Sequence, residues 1–149
     1  VEVSVTWLRL LTSVHGHVAV LATALLFHPA ILLRRGAPLS RGARYAVVLA
    51  ALATAATFAL GVALYGDYRT HVRPGLFITS KTAGLLFETK EHAGFMVLAM
   101  ALGAAAAALL SPRGAVVYRR TAARIFAGAG LLALAVGGIG SFVTALESF

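Results

Sequence analysis

Residues 18–44 read VAVLATALLFHPAILLRRGAPLSRGAR. From Val18 to Leu33 there is no formal charge, and then Arg34, Arg35, Arg41 and Arg44 crowd a short segment that also holds Gly36, Pro38 and Ser40. An apolar run that stops on arginines and turn residues is the pattern of a membrane helix ending at the headgroups. Extended back to Trp7, the run is long enough to cross a hydrocarbon core of roughly 30 Å at about 1.5 Å per residue. Pro29 is compatible with such a helix, because neighbouring helices and side chains re-satisfy the freed carbonyl.

Three further apolar runs follow in the remaining sequence. Spans are expected at about 7–33, 45–64, 84–110 and 122–145, the third uncharged from Ala93 to Leu110. The polar stretch from Asp67 to Lys90 is expected to hold a short interfacial helix or the protruding first turns of the third span. Composition agrees, with 60% hydrophobic residues, 12% charged residues and a mean hydropathy of +0.88. The fold class this implies is an all-α membrane protein, a four-transmembrane-helix up-down bundle forming a single domain over residues 1–149.

Charge sets the orientation. Arg34, Arg35, Arg41, Arg44, Arg113, Arg119, Arg120 and Arg124 lie in or beside the connections after the first and third spans. Glu2, Asp67, Glu88, Glu91 and Glu147 lie toward the other end, balanced by Arg9, Arg69, Arg73, Lys81 and Lys90. One side therefore totals +8 and the other zero. The positive-inside bias assigns the arginine side to the cytoplasm, giving a multi-pass protein of the inner (cytoplasmic) membrane with both termini outside.

The same placement argues against nucleic acid as a partner. A sequence pI near 11.2 would suggest it, but these arginines flank apolar helices and lack interleaved aromatics. There is no cysteine, so disulfides, thiolate metal sites and c-type haem attachment are excluded. No phosphate loop or zinc-protease motif is present, and nothing points to a hydrolase. The chain reads as a non-catalytic subunit rather than an enzyme by itself.

The histidines carry the chemistry. His17 opens the most apolar part of the first span and His92 opens the uncharged run of the third, so the two differ by only about 3 Å in depth. Two imidazoles at one depth in a four-helix bundle suit a haem iron clamped from both faces, with Gly16 and Gly94 beside them. His15 and His71 are the alternate ligands. Arg73 and Lys81, with Arg69 and Lys90, are candidate partners for the haem propionates, and His71 could stand at the haem edge. Glu88 and Glu91 could relay protons to a quinol near Tyr65 or Tyr68. His28 lies about 16 Å deeper than His17 and has no partner, which argues against a second haem. His15, His17, His71 and His92 could instead gather an outer-side copper ion.

With His17 and His92 so placed, the chain resembles small multi-helix membrane cytochrome b-type subunits. That resemblance implies a single b-type haem and electron transfer within a respiratory complex. It also implies contact with the lipid bilayer, with a larger membrane protein complex, and with a cytochrome c or quinone partner. The copper-resistance inner-membrane family has a comparable all-helical, histidine-bearing look. The alternative functions are a cofactor-free structural accessory subunit of a larger membrane complex and an outer-side copper-binding membrane protein.

Overall fold

The computed structural model describes residues 2–112 and 114–146. The chain is all-α, with no strand among the described residues. Helix α1 spans Glu2–Leu33 and α2 spans Arg41–Asp67; a π-helical turn, Tyr68–Val72, leads into the short α3, Arg73–Thr79. Helices α4, Lys81–Leu109, and α5, Val116–Leu146, complete the fold. Four helical stretches are long and apolar enough to cross a membrane, which makes this a multi-pass membrane protein in contact with lipid.

The helices outrun the apolar runs that announce them. Helix α2 starts at Arg41 rather than Tyr45 because Ser40 caps it, its Oγ accepting from the Ala43 amide at 3.1 Å. Ser40 and Ser80 both have extended backbone, and the Ser80 Oγ accepts from the Ala83 amide at 3.4 Å to start α4. Helix α5 starts at Val116, six residues before the expected Ala122, so Arg119 and Arg120 are helical. Hydropathy marks the part of a helix that lipid can solvate, whereas caps mark where the backbone begins to coil. The polar stretch 67–90 contains both expected features: α3 is the short extra helix, and the first turns of α4 precede its uncharged run.

Helix α1 packs on α2 and α5, and α4 packs on the same two. The four long helices therefore form a ring in which α1 and α4 occupy opposite corners. The interior is built from small residues: Ala50, Ala101, Ala104, Ala108, Ala122 and Ala129 are fully enclosed around Leu26, Val47 and Phe126. In lipid, water provides no drive between helices, so association rests on the close approach that such residues allow. A Cβ on Gly130 would stand 2.8 Å from Phe27 Cζ, and one on Gly128 would stand 3.0 Å from Met100 Cε. The Thr54, Thr57, Thr23 and Thr12 hydroxyls each donate to the carbonyl four residues earlier, so threonine adds no unsatisfied polarity.

The arginine end is fastened by a buried arginine. Arg119 is 2% exposed; its Nε donates to the Gly36 carbonyl at 2.9 Å and its Nη1 to the Pro112 carbonyl at 3.1 Å. One side chain thus ties the α1–α2 connection to the α4–α5 connection. Gly36 has φ +71°, in the left-handed region, and a Cβ there would meet Val116 Cγ1 at 2.5 Å. At the opposite end, Leu76, Ala83, Phe87 and Val143 form a second buried cluster that seats α3 against α4 and α5.

Candidate functional site

Depth alone matched His17 with His92; the helix faces separate them. Among the described side chains of α1 the buried ones are Ala22, Leu26, Pro29, Ala30 and Leu33, which form one stripe. At about 100° per residue, His15 falls about 20° from Leu26 and His17 about 180° from it. His15 accordingly lies half-buried against α2, while His17 is exposed. The His15 Cε1 lies 3.2 Å from the position a Cβ would take on Gly61, and its Nδ1 is enclosed without a hydrogen-bond partner.

Helix α4 shows the same division. Its buried stripe runs through Phe87, Val97, Ala101, Ala104 and Ala108. Lys90 lies within about 20° of Val97 and Ala101, whereas His92 is about 180° from Ala101 and exposed. The Lys90 side chain crosses the interior toward α5. Its Cδ is 3.7 Å and its Nζ 4.0 Å from the position of a Cβ on Gly140, and Nζ sits 4.9 Å from the Phe87 ring centroid and 5.9 Å from that of Tyr68. His15 and Lys90 are therefore half-buried polar residues on the inward faces of α1 and α4.

His17 and His92 thus sit on outward faces of helices at opposite corners of the ring. Both rings are exposed, one on α1 and the other on α4. Each does present a defined tautomer: His17 Nδ1 donates to the Ser13 carbonyl at 2.7 Å and His92 Nδ1 to the Glu88 carbonyl at 2.8 Å. A carbonyl only accepts, so the proton is on Nδ1 and the neutral ring keeps its Nε2 lone pair. His71, exposed in the π-helical turn, has the Asp67 carbonyl 3.1 Å and the Thr70 hydroxyl 2.9 Å from its Nδ1. His28 is exposed too, on the same outward stripe of α1 as His17.

Among the basic residues, Arg73 is committed to the protein. Its Nε donates to Glu88 Oε1 at 3.0 Å, its Nη2 reaches the same oxygen, and its guanidinium lies 5.0 Å from the Phe77 ring centroid. Arg69 Nη1 donates to the Tyr65 hydroxyl at 2.8 Å, and Lys81 is exposed at the start of α4. Among the described residues no three His, Asp or Glu side chains are grouped to hold a metal. The four histidines considered for copper are divided between an interior face and outward ones.

Helical phase is the signal that depth omitted. Lys90 lies 18 residues before Ala108 (108 − 90), five full turns, so its interior position can be read from numbering once the buried stripe is known. Comparison with family models, with curated proteins and with solved structures gave no match.

Proposed function

We propose that the chain is an accessory subunit of a larger membrane assembly, working by helix-to-helix contact through outward faces of its bundle. One observation carries this reading: His17 and His28 share the outward stripe of α1, and His92 occupies the outward face of α4. An imidazole facing hydrocarbon is costly, and His28 lies well within the span, so a neighbouring helix offering a hydrogen bond relieves the cost. Leu21, Ala24 and Ile31 lie on the same exposed stripe and supply its apolar contact area.

The test is photo-crosslinking in native membranes with a reactive residue placed at position 17, 21 or 28, and at buried position 26 as control. The reading expects discrete protein adducts from the outward positions and none from position 26. Adducts only to lipid at all three outward positions would overturn it.

A second reading, electron transfer by b-type haem in a respiratory complex with a quinone or cytochrome c partner, is favoured by the Nδ1-protonated tautomers. His17 or His92 would then offer Nε2 as one axial ligand across an interface, with the other ligand from a partner chain. Oxidised and dithionite-reduced spectra of the native complex test it, since loss of sharp reduced bands on His17→Ala or His92→Ala would support it. A colourless native complex would reject it.

A further inference from the structure

The arginine end presents six exposed guanidinium groups: Arg34, Arg35, Arg41, Arg44, Arg120 and Arg124. None of the six has a hydrogen-bond or ion-pair partner among the described residues. No acidic residue occurs in segments 34–44 or 114–124, and Asp67, Glu88 and Glu91 all lie at the other end of the bundle. The six are nevertheless not scattered. Buried Arg119 fastens the two connections together, and Arg120 Cγ lies 3.3 Å from the position of a Cβ on Gly36, beside Arg34 and Arg35. A rim of one sign thus lies at one end of the four apolar helices.

We infer that this rim is a binding surface for the headgroups of anionic phospholipids in the leaflet it meets. The charge has no counterpart within the protein, and the helices hold the rim at the depth of lipid phosphates. Arginine suits such a partner because its planar fork pairs with phosphate oxygens in a bidentate manner. Arg119 ties the α1–α2 connection to the α4–α5 connection, so the groups of both belong to one surface. The inference is independent of whether a protein partner covers α1.

The experiment uses the purified chain in mixed micelles of equimolar phosphatidylglycerol and phosphatidylcholine, with retained lipids counted by native mass spectrometry. The wild-type chain is expected to retain phosphatidylglycerol in preference. The paired variants R41Q/R44Q and R120Q/R124Q are each expected to weaken that preference by about fivefold or more, given the usual contribution of a basic residue at an anionic surface. K81Q, at the other end, is expected to leave it unchanged. The charge-keeping variants R41K/R44K and R120K/R124K control for damage to the fold and are expected to keep most of the preference, losing the bidentate fork but not the charge. A loss in the lysine variants as large as in the glutamine pairs, or no loss in either glutamine pair, would overturn the inference. Displacement of the lipid by millimolar inorganic phosphate would also overturn it, since the rim would then be a site for free anions.

Discussion

The imidazole of His15 is fitted to a glycine: its Cε1 lies 3.2 Å from where a Cβ would stand on Gly61 of α2. His15 is therefore a packing residue between α1 and α2, and its neighbour two positions on, His17, faces outward. A side chain at position 61 must displace the ring. Gly61→Val is expected to destabilise the bundle by about 1–3 kcal/mol, as over-packing usually does. Much of that cost should vanish when His15→Ala is combined with it, because the two positions are in contact. Thermal unfolding of the four proteins in one detergent measures the coupling, and additive effects would contradict the contact.

Arg119 should matter far more than its exposed neighbour. Arg119→Ala removes the donors to the Gly36 and Pro112 carbonyls and leaves a hole between the two connections. Bonds from charged donors contribute about 1.5–3 kcal/mol each, so losing the two costs about 3–6 kcal/mol. Arg120→Ala should change stability by less than about 0.5 kcal/mol, as surface substitutions do. Similar melting temperatures for the two variants would show that Arg119 does not fasten the ends.

The short α3 is held by a ring against a glycine. A Cβ on Gly84 would lie 2.6 Å from Cγ, Cδ2 and Cε2 of Phe77, so the clash is with the body of the ring rather than its tip. Gly84→Leu is expected to lift α3 from α4 and make residues 68–80 the first point of proteolysis. Phe77→Ala in the same chain should restore docking in part. A cleavage pattern identical to wild type for Gly84→Leu would contradict the seating.

The ion pair between Arg73 and Glu88 is only partly buried, with side-chain exposures of 40% and 35%. Exposed or partly exposed pairs contribute little and are screened by salt, so Glu88→Gln should cost under about 1 kcal/mol. The difference from wild type should narrow further in high salt. A larger, salt-independent loss would mean that Glu88 serves some purpose besides pairing with Arg73.

The sequence made the membrane character of the fold plain, because uncharged runs of spanning length and segregated charge have few other physical explanations. Element ends were less legible: Arg41 and Arg119 are helical although no lipid-like hydropathy marks them, since Ser40 and the backbone set those boundaries. The histidine site was legible in depth and not in azimuth. Numbering puts His17 and His92 at one level, but the alanine-rich spans show little contrast between their faces. Only the packed neighbours reveal which stripe of α1 or α4 turns inward. Gly61 and Gly140 are the partners that show it, beside His15 and Lys90, and each is on another helix.

His17 and His92 face away from each other on opposite corners of the ring, and this can be measured as a distance. The chain has no cysteine, so spin labels at H17C and H92C report without background. With neighbouring helix axes 8–10 Å apart, labels pointing outward from diagonal helices should lie about 25 Å or more apart by double electron–electron resonance. A dominant separation below about 15 Å, the range two inward-facing labels on such helices would give, would contradict the account and restore the pair as a clamp around one iron.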